Sequence, residues 1–360
     1  MSDSAHKGRT VLVPRGGLAS RCDVITPYSV PERVLRRISQ SFAEGIAAQQ
    51  DATYPFRKLL AGAALDQASW FTHTAIDSIR VPLGPTGAKK IQFLELGKKV
   101  AHSAIVVGRP GSGKSNLLHI VITGLALAYP PEELELYLVD FKKGVGFKPY
   151  ASASLPHARF IAIESRPAVG LKVLEFLDQE LNRRAELFRT LNIEEYSDYR
   201  RSSGEGLPRI VLIVDEFQEF FTAGPEESAR ATLLLDRIVR QGRAFGVHAI
   251  LASQTLLGEY ALPASTLAQI SVRMVLTCSD EDATKALDAD TQAAHLLERP
   301  GQMVYNAHGG RSQYSLPLQV AVFSEADKEE YLPLIAEHAP KTSRSLLVVE
   351  GLDSDDEISL

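Results

Sequence analysis

From about residue 76 the chain alternates short apolar runs with longer amphipathic stretches. The runs are "HSAIVVG", "LELYLVD", "ARFIAIE", "RIVLIVD", "VHAILAS" and "VRMVLTC", rich in Val, Ile and Leu and lacking an alternating polar face. Runs of this kind with helices between them predict parallel strands of one sheet buried on both faces. In "LKVLEFLDQELNRRAELFR", Leu174, Leu177, Leu181, Ala185 and Phe188 share one face and the charges lie elsewhere, which predicts a long amphipathic helix packed on that sheet. Upstream, Val30, Val34, Ile38 and Phe42 recur at helical spacing with Pro31 at a first turn, so 29–75 reads as two or three helices. "RRSSGEGLP" reads as a loop. After Cys278 come a further helix, a strand pair around "GQMVYN" and "LPLQVAVF", a short helix near 325–338, and an acidic tail, "VVEGLDSDDEISL", predicted to be disordered. These segments divide the chain into 1–20, 21–75 (helical), 76–325 (α/β) and 326–360 (short helix and acidic tail).

Composition narrows the class. With 360 residues, 45% hydrophobic and 23% charged, the chain can bury a sizeable core. A net charge of −5 gives no global attraction to nucleic acid or to an anionic membrane, leaving a local basic patch or a pore lined by several copies as the electrostatic route to either. The two cysteines, Cys22 and Cys278, lie far apart in sequence, which points to a reducing, cytoplasmic setting and to structural thiols. No stretch approaches the roughly 18 uncharged apolar residues of a membrane span; the longest candidate, "LLHIVITGLALAYPP", is shorter and contains His119 and Thr123. The start, "MSDSAHKGRTVLVPRGGLAS", lacks the hydrophobic core of a signal peptide, and its "LVPRG" resembles a tag remnant, so 1–20 is read as a flexible start.

One segment carries specific chemistry. "GRPGSGKS", Gly108 to Ser115, fits G-x-x-x-x-G-K-[ST] and stands between the apolar run "AIVV" and the helical run "NLLHIVITGLALAY". In that context Gly108, Arg109, Pro110, Gly111, Ser112 and Gly113 form a loop whose backbone N–H groups curl around phosphates. Lys114 meets the β and γ oxygens, Ser115 reaches Mg²⁺, and the helix beginning near Asn116 adds its positive dipole end. ATP or GTP binding with Mg²⁺ follows.

A hydrolysing P-loop protein needs a second strand that ends in a magnesium-holding acid, often followed by a glutamate that polarises the attacking water. Two segments have the format. "LYLVDFKK" offers Asp140 followed by Phe141, Lys142 and Lys143; "IVLIVDEF" offers Asp215 and Glu216 together. Lysines beside a metal acid compete with Mg²⁺, so we assign Asp215 to the metal and Glu216 to the catalytic base, and leave the chemistry of Asp140 open near the nucleotide crevice. "HAILASQT" ends in Ser253, Gln254 and Thr255, which makes Gln254 a candidate sensor of the γ-phosphate and water. "DRIVRQGRAFG" spaces Arg237, Arg240 and Arg243 three residues apart; a neighbouring subunit's arginine finger could be among them, but the spacing by itself favours a solvated, dipole-compensating helix end.

These segments together resemble the FtsK/SpoIIIE branch of the FtsK–HerA motor ATPases, over roughly 80–325. The likeness rests on "HSAIVVGRPGSGKSNLLH", "LYLVDFKKGVGFKPYASASLPH", "LDQELNRRAELFR", "PRIVLIVDEFQEFF", "RQGRAFGVHAILASQT" and "ERPGQMVY", in that order. The resemblance implies an α/β, RecA-like P-loop NTPase core with a mostly parallel sheet, ATP and Mg²⁺ as cofactors, and self-assembly into a ring, usually a hexamer, with ATP between subunits. It implies Arg243, then Arg240, as the arginine acting in trans, and marks Arg273 in "SVRMVL" as a family position without a role. The leading expectation is translocation of double-stranded DNA; the alternative is the motor of a type VII-like protein secretion system with membrane or secretion partners, and a further alternative is a non-hydrolysing switch or scaffold. One departure weakens the DNA reading: "TLLGEYALPAST", 255–266, has no Lys or Arg and contains Glu259, whereas a DNA motor needs donors toward the phosphates. No winged-helix module to read DNA sequence follows residue 325.

Overall fold

The computed structural model describes residues 53–350 except 88–89, 99, 143–145, 204–205, 259–261, 289–293 and 295–296. The description concerns the unit that begins at Tyr54. Of the helical region expected over 21–75, the described part contains α1 (Phe56–Gly62) and a 3-10 turn at Gln67–Ser69; the flexible start and 21–52 lie outside the described residues, as does the tail beyond 350. Next comes an antiparallel hairpin, β1 (Ile79–Thr86) and β2 (Lys90–Leu96), which hydrophobic patterning did not predict. Pro82, Gly84, Pro85, Lys90, Gln92 and Glu95 interrupt its apolar runs, and its stability comes from being laid over the domain.

The predicted strands follow, each separated by helix: β3 (Ala104–Val107), α2 (Lys114–Ala128), β4 (Leu134–Asp140), α3 (Lys148–Ser152), β5 (Ala158–Ile163), α4 (Pro167–Thr190), α5 (Tyr196–Ser203), β6 (Arg209–Asp215), α6 (Pro225–Phe245), β7 (Val247–Ser253), α7 (Ala264–Leu267) and β8 (Val272–Leu276). After α8 (Asp280–Ala286), strands β9 (Gln302–Asn306) and β10 (Leu316–Gln319) form the expected antiparallel pair, and α9 (Glu325–His338) starts from a capping box between Ser324 and Asp327. The acidic tail is corrected at its start: Leu347–Glu350 is strand β11, paired in parallel with β5. Its Leu-Val-Val run finds an edge to pair with, and burial of Val349 outweighs the charge that follows.

The main sheet has the order β10-β9-β8-β3-β7-β6-β4-β5-β11, parallel from β8 to β11. This is an α/β fold with a mostly parallel sheet between helical layers. Alternate residues explain the runs: Ala104 and Val106 face one core with α2, while Ile105 and Val107 face the other with α4 and α6. Of the predicted face of α4, Leu174, Leu177, Leu181 and Phe188 are buried and Ala185 is half-buried. Truncating such a side chain to Ala costs about 2–5 kcal/mol. Helix α2 is buried nearly all round, from Leu117 to Ala128, which explains why its segment has no polar face.

The parallel order places the C-terminal ends of β3, β7, β6 and β4 along one edge, where open α/β sheets hold their ligands. At the opposite edge Arg184 fastens α4 down. Its buried guanidinium donates to Glu180 Oε1 at 2.7 Å, Phe245 O at 2.8 Å and Pro208 O at 2.9 Å. The "ELNRRAE" segment is thereby tied to the end of α6 and the approach to β6.

Candidate active site

Residues 108–113 turn from the end of β3 into the start of α2, and their conformation is one that glycine permits. Gly111 and Gly113 have φ of 79° and 100°, in the left-handed region where a Cβ is strained. The loop is pinned from three sides: Gly108 N donates to Ser253 O at 3.2 Å, Arg109 N to Thr277 O at 2.9 Å, and Gly301 N of "ERPGQMVY" to Ser112 O at 2.8 Å. Arg109, Pro110, Gly111 and Ser115 are exposed, whereas Gly108, Ser112 and Lys114 are buried. The buried Ser112 Oγ has no hydrogen-bond partner among the described residues. A buried orphan hydroxyl within a turn of glycines at a helix N-terminus fits a phosphate ligand. The Asn116 side chain is not free for that ligand: its amide donates to Ala321 O at 2.7 Å and accepts from Phe323 N at 2.8 Å, so it anchors α2 to the chain after β10.

The Lys114 ammonium reaches across the edge to the end of β6. It contacts Asp215 Oδ1 and lies 2.6 Å from Glu216 Oε1, with all three side chains buried. Glu216 itself has φ of 59°, a left-handed conformation in a non-glycine residue that turns its carboxylate back over the strand end. That carboxylate accepts from Gln218 Nε2 at 2.9 Å, Gln254 Nε2 at 2.7 Å and Gln254 N at 3.2 Å. Gln254 follows β7, the neighbour of both β3 and β6, and so reaches the acid from the next strand. Ser253 Oγ holds Gln218 Oε1 at 2.7 Å. Gln218 was missed in the sequence because it sits in a 3-10 turn, Phe217–Phe221, where neither strand nor helix period marks its face.

The charges are unequal. Burial pushes the Glu216 carboxyl up, but the Lys114 ammonium and the hydrogen bonds from Lys114, Gln218 and Gln254 outweigh it, and the net shift is down. Asp215 goes the other way: burial raises its pKa, and Lys114 offsets that only in part. Asp140, buried and paired in register with Asp215 across β4 and β6, is pushed up to about 7, first by burial and then by the charge of Asp215. Its Oδ1 accepts from Lys142 N at 2.9 Å.

Among the described residues no group of three or more His, Cys, Asp and Glu is arranged to hold a metal by itself. Ser115 and Asp215 do provide hard oxygen donors of the kind Mg²⁺ takes when phosphate and water complete its shell. Arg243 is elsewhere. It precedes β7, so about 20 Å of strand separates it from the phosphate-loop edge of the same chain. Its half-exposed side chain lies 3.7 Å from Glu195, while Arg240 pairs with Asp236 at 2.6 Å and Arg237 with Asp178 at 2.7 Å. Arg273 is buried on β8; it donates to Leu267 O, its Nε and Nη1 have no partner among the described residues, and burial lowers its pKa to about 10.

A parallel sheet with a glycine-turned phosphate loop on one strand and paired acids on another defines a P-loop ATPase. The chain belongs to the FtsK/SpoIIIE family, whose model matches residues 64–257. It is 37% identical over 163 residues to the ESX-5 secretion system protein EccC5 of Mycobacterium tuberculosis, a match spanning 42% of this chain and 11% of that protein. The cytoplasmic domain of the Thermomonospora curvata type VII secretion ATPase EccC has a similar structure, with a TM-score of 0.65 and 25% identity over 82% of this chain and 36% of that one. The pCW3 conjugation coupling protein TcpA shares the fold, with a TM-score of 0.60 and 21% identity over 75% of this chain and 73% of its own. The chain thus spans about a tenth of the length of the curated relative and about a third of the EccC domain.

Proposed function

We propose that the chain is an ATP-hydrolysing, ring-forming motor subunit serving a type VII-like protein secretion machine. The hydrolytic part of this reading is carried by one observation: Glu216 is buried, strained into its turn, and held by Lys114, Gln218 and Gln254 beside Asp215. In the proposed site the backbone of 108–113 and Lys114 bind phosphate, and Ser115 and Asp215 hold Mg²⁺, which supplies charge neutralisation at the phosphates. Glu216 orients and deprotonates water, and Gln254 links that acid to β7. Lys114 must exchange an ion pair with Glu216 for phosphate oxygens, which frees the glutamate as the nucleotide is bound. Arg243, too distant to act on its own chain's phosphate loop, would act on a neighbour's.

The cargo assignment reverses the order of expectation from the sequence. The similarity to EccC5 and EccC favours protein over DNA, and the lack of Lys and Arg in 255–266 agrees with it. Double-stranded DNA keeps second place because TcpA, a conjugation coupling protein, shares the fold. Phosphate release by the purified chain separates them. Stimulation by a helical export peptide, with no response to linear duplexes of increasing length, supports the secretion reading; a rate that climbs with duplex length overturns it.

A further inference from the structure

The mechanism above leaves one buried acid at the hydrolytic edge without a task. Asp140 and Asp215 are register partners on adjacent parallel strands, so their side chains leave the sheet on the same side at the same level. Asp140 is 2% exposed. Its Oδ1 takes the hydrogen bond from Lys142 N at 2.9 Å. The backbone around it is fixed as well: Ser165 N donates to Asp140 O at 3.1 Å and Phe141 N to Asp215 O at 3.5 Å, which ties the end of β4 to the end of β6 and to the chain after β5. Asp140 lies close enough to Asp215, Lys114 and Glu216 for each to act on its charge. The edge therefore gathers three carboxylates around the Lys114 ammonium.

An uncompensated buried carboxylate is costly, and it persists where a cation or a donor-rich ligand offsets it. Lys142 does not offset it, because that side chain is exposed and contributes its backbone N–H.

We propose that Asp140 is a third acid of the magnesium–phosphate site, a positioning residue whose carboxylate would accept hydrogen bonds from the hydration shell of a cation held by Ser115 and Asp215. The assignment rests on the nucleotide-binding reading of the loop at 108–115. It gives "LYLVDFKK" a chemical role: β4 supplies the outer support of the cation and β6 the inner.

The test is a Mg²⁺ titration of nucleotide binding by the full chain, read by fluorescence anisotropy of a labelled ADP, first in EDTA and then with rising Mg²⁺. Asp140→Asn keeps the shape and the Oδ1 acceptor for Lys142 N but removes the charge. The expected result is unchanged affinity in EDTA and a Mg²⁺ midpoint raised by about 10–100-fold, the usual effect of removing an outer-shell partner. Mn²⁺ electron paramagnetic resonance in the presence of ADP should show the same weakening. Asp140→Glu, which restores charge at a longer reach, should recover part of it. An unchanged midpoint in Asp140→Asn overturns the proposal, whether or not the melting temperature moves. If the parent chain itself shows no nucleotide binding, or binding indifferent to Mg²⁺, the underlying site reading fails instead.

Discussion

Replacing Glu216 with Gln tests the core of the hydrolytic reading. The substitution preserves length and leaves an amide that can still meet Gln218 and Gln254, but it removes the charge that Lys114 faces at 2.6 Å. General-base catalysis contributes about 10²–10⁴-fold, so turnover should fall by that factor, a barrier increase of about 2.7–5.4 kcal/mol. Nucleotide binding should survive and tighten modestly, because Lys114 loses one of its two competing carboxylates while Asp215 remains. The backbone strain at φ of 59° is the same for both side chains, so stability should change little by that route. The assay is steady-state phosphate release at saturating ATP and Mg²⁺, with nucleotide affinity measured in parallel. Parent-level turnover in Glu216→Gln would refute the assignment of the base, and equal, negligible rates for parent and variant would favour a non-hydrolysing switch.

Arg184→Met should destabilise the fold by about 2–4 kcal/mol, since it takes the donor from the Phe245 and Pro208 carbonyls while Glu180 keeps Arg183; melting should drop by about 2–4 °C per kcal/mol. A variant melting within 2–3 °C of the parent, by the same scale, would show that these bonds are replaced by water. Acid should weaken the fold through its buried imidazoles. His119 and His157 are lowered by burial from 6.5 to about 4, so the folded state refuses protons that the unfolded chain accepts; their stabilisation is complete above pH 6.5 and lost as pH falls toward 4, about 3 kcal/mol each. Denaturant unfolding at pH 7.5 and pH 5 checks the sign, and greater stability at pH 5 would contradict it. For the arginine finger, Arg243→Ala and Lys114→Ala should each abolish most turnover alone, yet a mixture should recover activity, because a ring can then contain one intact site built from both subunits. No recovery on mixing would leave Arg243 as a solvated helix end.

Legibility in the sequence followed the range of the determinant. The strands from β3 to β8 were readable because a strand buried on both faces must be apolar throughout, and the phosphate loop because eight contiguous residues carry its geometry. The hairpin of β1 and β2 was not, since its prolines and polar positions are compensated by contacts with α2 and β10 that are distant in sequence. Asn116 illustrates the same limit at the site: its place after the loop suggested nucleotide contact, but its partners, Ala321 and Phe323, come from the far end of the domain. Gln254 reached Glu216 as its strand position implied, while Gln218 depended on a turn that no period announces.

Asp140 shows why two similar strands could be ranked by sequence but not understood from it. The lysines after it made it the poorer metal acid on composition, and the aspartate that Lys114 contacts is Asp215. Register adds what composition omits: parallel pairing puts the two aspartates side by side, so choosing one does not dismiss the other. With its pKa raised to about 7, Asp140 favours the folded state below its ordinary value of 3.8, and that contribution is lost as pH rises through 7. At neutral pH an amide in its place would therefore serve the fold better. A buried acid that works against stability at neutral pH, held beside Asp215 at the phosphate-binding edge, is best explained by what binds there.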